Sequence, residues 1–198
     1  LGPVMGAFMT GLTEKRILGI RNGDGVLVPP MEWDPATGAE LAHDFVEVGP
    51  NARDGVGLLV CEVSGKGLPG ALVGATARSY LRAKLSSGGD VKAALQEVNV
   101  QLARDVRRGM AVTSLYALVD PAQGIATVAC TGHKVPLIRY TAADKKVRLI
   151  HPEGIALGFD KGPVFDGKLE IAKVPIEFGD RLVLVNTGAV SIAGAEGP

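Results

Sequence analysis

The second half of this sequence constrains its fold most, because short apolar runs alternate there with turn sequences. The predicted strands are 111–119, 125–130, 135–140, 147–150, 169–174 and 181–186. Turn sequences such as Asp120-Pro-Ala-Gln-Gly124 connect them. Strands at such short spacing, joined by tight turns, favour antiparallel sheets.

The first half predicts one buried strand followed by two helices. The continuous apolar run 56–63 (VGLLVCEV) is typical of a strand that is buried on both faces. A first helix is predicted from Leu68, and a second one after Asp90, a suitable N-cap. Their apolar stripes are Leu68, Leu72, Ala75, Tyr80 and Leu81, then Val91, Ala94, Leu95, Val98 and Leu102. Two consecutive helices between strands argue against repeated βαβ units, so the predicted class is α+β, a β-sandwich carrying helices.

Composition excludes several classes of function. The 198 residues suit a single domain, and 21 basic against 21 acidic residues leave no net charge to drive nucleic-acid binding. No apolar run approaches the roughly 18–20 residues of a membrane span. Cys61 and Cys130 lie far apart, without metal-ligand spacing. We therefore expect two reduced, buried thiols in a cytoplasmic protein.

A glycine-rich segment offers one interpretation that we do not favour. Gly65-Lys-Gly-Leu-Pro-Gly70 matches the G-x-G-x-x-G pattern of dinucleotide-binding turns, and it lies between a predicted strand and a predicted helix. However, Pro69 stands where that helix should offer its first N–H donors. The chain also continues helix–helix–strand rather than returning to a parallel strand.

Two predicted strands carry carboxylates at positions that suit a cation. Asp44 and Glu47 lie in Ala42-His-Asp-Phe-Val-Glu47, and Glu62 ends the buried run. A carboxylate there is costly to desolvate unless it meets a cation. Acids on two strands could meet across a sheet and hold a divalent ion with carbonyls and water. The alternative is an ion pair of Glu62 with Lys66.

Two histidines are weaker candidates. His43, beside Asp44, could add a nitrogen ligand or simply be an exposed loop histidine. His133 follows a turn glycine, and such a histidine is more often a hydrogen-bonded turn residue than a catalyst.

Taken in order, these segments resemble one family. Glu62-Val-Ser-Gly-Lys-Gly-Leu-Pro-Gly-Ala-Leu72 resembles the D-V-S-G-K-G-x-P-A-A-L segment of SpoIIE-type protein phosphatases, the bacterial branch of the metal-dependent (PPM, type 2C) serine/threonine phosphatases. Residues 42–47 resemble the G-G-D-F-Y-D segment of that family. Further similarities lie at 110–124 (L-D-P-x-x-G), 131–137 (A-G-H-x-P-x-L), 154–158 (G-x-x-L-G) and 178–184 (P-G-D-x-L-x-L). The resemblance covers residues 35–198 and leaves 1–34 as a poorly defined N-terminal segment.

The resemblance implies a four-layer αββα sandwich with a binuclear Mn²⁺ or Mg²⁺ site. In that family the two ions activate a water that attacks phosphoserine or phosphothreonine. Carried over by position, the metal ligands are Asp44, Glu62 and the backbone carbonyl of Val63, with Glu47 and His43 as additional candidates. The substrate and loop residues are Ser64, Gly65, Lys66, Gly67 and His133.

The sequence departs from the family at the metal site itself. Thr187-Gly-Ala-Val190 stands where the family has T-D-G-V, so Gly188 replaces a metal aspartate. Glu62 replaces the bridging aspartate and is one methylene longer. The closing D-D-x-T segment would lie beyond Pro198. Because Mg²⁺ tolerates poor geometry badly, we expect one bound ion or none.

Two functions remain open at this point. The first is a phosphatase acting on a phosphorylated bacterial regulator of the STAS, anti-sigma-antagonist or stressosome-like type. The second is an inactive pseudophosphatase that binds such a regulator without hydrolysing it. In both cases the expected partner is a regulatory phosphoprotein, and the oligomeric state stays open.

Overall fold

Two packed antiparallel sheets and two long helices make up most of the part of the chain that the structure describes. The computed structural model describes residues 20–21, 27–28, 44–51, 55–65, 67–106 and 109–190. The strands are β1 (Ile20–Arg21), β2 (Leu27–Val28), β3 (Phe45–Pro50), β4 (Val56–Val63), β5 (Val112–Asp120), β6 (Ile125–Thr131), β7 (Leu137–Thr141), β8 (Lys146–Ile150), β9 (Ile171–Pro175) and β10 (Arg181–Val183). The helices are α1 (Gly67–Leu85), α2 (Val91–Asp105), α3 (Pro163–Lys168) and α4 (Thr187–Val190).

The strands pair as the turn-rich pattern predicts. A five-stranded sheet has the order β3-β4-β5-β6-β9, and a three-stranded sheet has the order β10-β7-β8. All of these neighbours are antiparallel. A separate antiparallel pair joins β1 and β2. Because β4 and β5 are antiparallel neighbours with two helices between them, the G-x-G-x-x-G segment does not belong to a βαβ dinucleotide-binding unit.

The five-stranded sheet separates two apolar cores. On one face, Leu59 and Tyr116 pack in one core with Leu81 of α1 and Leu95 of α2. On the other face, the core includes Leu115, Ala117 and Val128 together with Leu137 of the three-stranded sheet. The described layers are therefore helices, sheet and sheet, and the α+β class with two antiparallel sheets is confirmed.

The two long helices follow their predicted patterns to different degrees. The Asp90 side chain caps α2, accepting a hydrogen bond from the Ala93 N–H at 2.9 Å. The predicted apolar stripe of α2 is buried throughout. In α1 the predicted stripe is partly wrong, because Leu72 is 60% exposed while Ala77 and Leu85 are buried. Small residues at positions 70, 74 and 77 face inward instead.

The last strand ends earlier than the apolar pattern predicts. Strand β10 ends at Val183 rather than at residue 186. Asn186 begins the next element, since its Oδ1 accepts the Ala189 N–H at 3.1 Å as in a helix N-cap. Helix α3, which the sequence did not predict, begins where Asp160 accepts the N–H groups of Val164 and Phe165.

Both cysteines are buried free thiols, as predicted. Within the described ranges, no helix combines the length and the hydropathy needed to cross a membrane.

Candidate functional site

Asp44 and Glu62 come together at one end of the five-stranded sheet. Phe45 of β3 pairs with Cys61 of β4 in antiparallel register, so Asp44 and Glu62 lie opposite each other at the next position. Residues at directly opposed positions bring their side chains within contact distance. This register brings the two acids to neighbouring positions at the same end of the sheet.

Both carboxylate oxygens of Asp44 accept hydrogen bonds from the chain. Oδ1 accepts the backbone N–H of Val63 at 3.3 Å, and Oδ2 accepts the side-chain amide of Asn186 at 3.1 Å. The first bond ties Asp44 to the end of β4. The second links it to the turn that leads into α4.

Glu62 accepts hydrogen bonds from Thr187, the residue that follows Asn186. Its Oε1 accepts the Thr187 hydroxyl at 2.6 Å and also the Thr187 backbone N–H. Its Oε2 lies 3.5 Å from Nδ1 of His133. The two carboxylates are thus bridged by two adjacent residues, Asn186 and Thr187.

His133 is a buried turn residue with one unsatisfied nitrogen. Its ring is 1% exposed, and Nε2 donates to the Val185 carbonyl at 2.9 Å. Because a carbonyl only accepts, the proton of the neutral ring is assigned to Nε2. Nδ1 then has no hydrogen-bond partner within the described part of the chain. His133 therefore fixes the position of Val185, next to the Asn186–Thr187 turn.

The buried thiol of Cys61 lies near both acids, and its pKa is affected by them. Burial raises the pKa of its thiol well above the usual value, and the negative charges of Asp44 and Glu62 raise it further. Among the described residues, neither carboxylate has a lysine or arginine within ion-pair distance. The two carboxylates therefore contact neutral hydrogen-bond donors and one histidine.

The remaining predicted site residues serve other contacts or lie outside the described ranges. The Glu47 carboxylate accepts a hydrogen bond from Arg78 Nε of α1 at 2.6 Å, away from Asp44. Ser64 donates to the Ala111 carbonyl at 3.0 Å and extends the pairing of β4 with β5. Gly65 has a φ of +128°, and Gly67 is the first residue of α1. His43 and Lys66 lie outside the described residues.

Asn186 and Thr187 are the contributors that the sequence analysis missed. They lie at the end of a predicted strand, where an Asn-Thr pair before a glycine could have indicated a helix N-cap. Their contacts with Asp44 and Glu62 join positions 142 and 125 residues apart, which no local pattern reports.

Among the described residues, Asp44 and Glu62 alone do not fit a binuclear metal centre. Three of the four carboxylate oxygens of Asp44 and Glu62 already accept hydrogen bonds from the chain. Within the described ranges, no three His, Cys, Asp or Glu side chains are grouped closely enough to hold a metal ion. A Cβ added at Gly188 would lie 3.4 Å from Nδ2 of Asn186, the atom that donates to Asp44. This position therefore lies beside the acids, but glycine has no side-chain oxygen to offer a metal ion.

Comparisons with known proteins agree with this fold and with the order of the motifs. The family model described as stage II sporulation protein E (SpoIIE) matches residues 52–195. No curated protein matches the chain.

Three solved structures share the fold. The RsbU and RsbW domains of Rv1364c from Mycobacterium tuberculosis superpose with a TM-score of 0.66 at 24% identity, covering 80% of this chain and 42% of that one. The PP2C phosphatase domain of SpoIIE from Bacillus subtilis, with a regulatory fragment, gives 0.63 at 16% identity and covers 78% and 44%. A chain from a bacterial stressosome structure gives 0.56 at 20% identity and covers 71% and 66%.

This chain spans less than half of the first of these structures. The family match nevertheless covers well over half of this chain and includes the strands and turns that surround Glu62 and His133. The chain therefore belongs to the SpoIIE family, and it shares the fold of the PP2C phosphatase domain of SpoIIE.

Proposed function

We propose that this chain is a protein-binding regulatory domain that keeps the SpoIIE fold but does not hold a binuclear metal centre. One observation carries the proposal. The carboxylate of Asp44 accepts a hydrogen bond from Asn186, and the carboxylate of Glu62 accepts one from Thr187. A carboxylate that accepts such bonds is stabilised without a cation. The site then serves as a cross-link between β3, β4 and α4.

Gly188 supports the same function. The family's binuclear chemistry needs a carboxylate at this position, and glycine supplies no side-chain oxygen. Within the described residues, Asp44 and Glu62 are the acids at this site, and two carboxylates do not balance the charge of two adjacent divalent ions.

A second candidate is a hydrolase that uses one divalent ion. The Nδ1 atom of His133 favours it, because this buried nitrogen has no hydrogen-bond partner in the described ranges and lies 3.5 Å from Oε2 of Glu62. The negative charge shared by Asp44 and Glu62 would also attract a cation. For this second candidate function, the proposed substrate is a protein phosphorylated on serine, as family membership suggests.

The proposed partner is a phosphorylatable bacterial regulator of the STAS type. Two structures with the same fold support it, one containing RsbU and RsbW domains and the other a bacterial stressosome. The helix that follows Glu62 in the chain and the helix that Thr187 begins also expose apolar side chains. Leu72 in α1 is 60% exposed, and Val190 in α4 is 62% exposed. Exposed apolar residues beside a polar site suit a protein surface.

Metal titration separates the two candidates. We expect calorimetry to show no Mn²⁺ site tighter than the millimolar range, and no phosphate release from a phosphoserine peptide above the level of Asp44→Ala. The control is Asp166→Ala, since Asp166 is an exposed aspartate of α3. Two micromolar sites, or turnover that Asp44→Ala abolishes and Asp166→Ala retains, would contradict the proposal.

Partner binding is tested with a matched pair of exposed leucines. We expect Leu72→Glu to weaken binding of a purified STAS-domain regulator by about tenfold or more, because buried apolar anchors dominate interface energies. Leu149→Glu, on the three-stranded sheet, is the control, since Leu149 is 66% exposed. Titrations use the phosphorylated and unphosphorylated regulator. Absence of binding to both forms, or an equal loss in both variants, would refute the assigned surface.

A further inference from the structure

A cavity separate from the carboxylate site lies between the C-terminal half of α1 and strands β3 and β4. Its volume is about 280 Å³. Gly49 of β3 and Gly57 of β4 pair directly in the antiparallel register and both line it. Two opposed glycines leave a gap on the helix-facing side of the sheet, where side chains would otherwise fill the space.

Tyr116 of β5 fills part of this gap with its hydroxyl group. A Cβ added at Gly57 would lie 2.8 Å from Tyr116 Oη, which places the hydroxyl over Gly57, whereas the space over Gly49 is open. The side chain is 3% exposed, and no hydrogen bond joins its hydroxyl to another described residue. Burial raises the pKa of Tyr116 to about 12, so the phenol stays protonated and can donate. Tyr116 lines the cavity, so a ligand that enters it could supply an acceptor for this hydroxyl donor.

Among the described residues, two basic side chains and one acidic side chain meet at the mouth of the cavity. Glu47 accepts a 2.6 Å hydrogen bond from Arg78, which neutralises that carboxylate. Arg82 lies 4.0 Å from the same oxygen, and its side chain is 72% exposed. Two guanidinium groups thus face one carboxylate, and most of the donors of Arg82 remain available. Ser86 also lines the cavity, but its hydroxyl donates to the Arg82 carbonyl at 2.6 Å.

Apolar side chains form the walls between the two donors. They are Leu59, Leu81 and Leu85. We propose that this cavity binds a small apolar carboxylate, with its hydrocarbon or aromatic body over the Gly49–Gly57 pair and its oxygens toward Tyr116 and Arg82. Pockets of this kind combine apolar walls with a few convergent polar groups. The inference does not depend on whether the carboxylate site of Asp44 and Glu62 is active.

A titration of the whole chain with benzoate tests the proposal by amide chemical shifts. We expect shifts concentrated at Gly49, Gly57, Leu81 and Ser86, with an affinity in the high-micromolar to millimolar range for so small a ligand. Benzyl alcohol, which has the same ring but no charge, is expected to bind at least about tenfold more weakly because it lacks the carboxylate. Equal binding of both compounds would overturn the assigned ligand class.

Three substitutions locate the binding. Gly49→Val fills the cavity, and since an added Cβ there meets nothing within 4 Å, the fold should persist and binding should be lost. Arg82→Gln and Tyr116→Phe each remove one donor and should weaken binding several-fold while the chain stays folded. Gly167→Ala, also in open space, is the matched control and should bind as the parent chain does. Unchanged binding in Gly49→Val, or no shifts with benzoate, would refute the site.

Discussion

Replacing Gly188 by aspartate is expected to raise the affinity for Mn²⁺ by about tenfold or more. Gly188 lies in α4 without a left-handed backbone conformation, so a side chain is sterically allowed there. Its Cβ would point toward the Asn186 amide, 3.4 Å from Nδ2, and that amide contacts Asp44. A carboxylate in this place would be a third acid beside Asp44 and Glu62. The affinity of a site for a hard divalent cation rises with the number of charged oxygen ligands. A tenfold gain in affinity corresponds to about 1.4 kcal/mol of binding free energy.

Calorimetric titration of the variant checks this expectation, with Gly188→Asn as a control of equal size and no charge. We expect binding to Gly188→Asp alone. Equal affinity in the aspartate and asparagine variants would show that position 188 does not face the acids, and the alignment of this residue with the family's metal aspartate would be wrong. A tight site already present in the parent chain would instead contradict the proposed function.

The fold was largely predictable because its signals are local. The apolar stripe of α2 and the alternating pattern of β7 are buried as their periods require, and β5 and β6 are buried over most of their length, whereas β8 is largely exposed. The stripe of α1 was partly wrong because the pattern was assigned to large residues such as Leu72. In the structure, small residues at 70, 74 and 77 face inward and leave Leu72 exposed.

The candidate site was predictable only in part. Antiparallel pairing of β3 with β4 follows from neighbouring strand patterns, and it alone brings Asp44 to Glu62. The donors that hold these acids come from Asn186 and Thr187, and no periodicity links positions so distant in the sequence. The orientation of Glu47 toward Arg78 depends likewise on how α1 lies across the sheet.

The motif around Gly154 shows how a family signature can report packing rather than chemistry. A Cβ added at Gly154 would lie 1.8 Å from the carbonyl oxygen of Cys130 and 3.0 Å from its carbon. Cys130 belongs to β6, which is paired with β5 on one side and β9 on the other, so its backbone cannot move alone. The segment after β8 therefore approaches the sheet as closely as only glycine permits.

Gly154→Ala is accordingly expected to reduce the free energy of unfolding by about 3 kcal/mol or more, at the upper end of the cost of overpacking. Chemical denaturation measures the loss as a lower midpoint at an unchanged slope. Gly167→Ala is the control, because its added Cβ meets nothing within 4 Å, and a change within about 0.5 kcal/mol is expected.

Gly154→Ala should also disturb the acid pair. The Cys130 carbonyl that it displaces lies three residues before His133, whose Nδ1 is 3.5 Å from Glu62. Equal midpoints for the two alanine variants would mean that the segment relaxes away from β6, and the close approach would not be what requires glycine here.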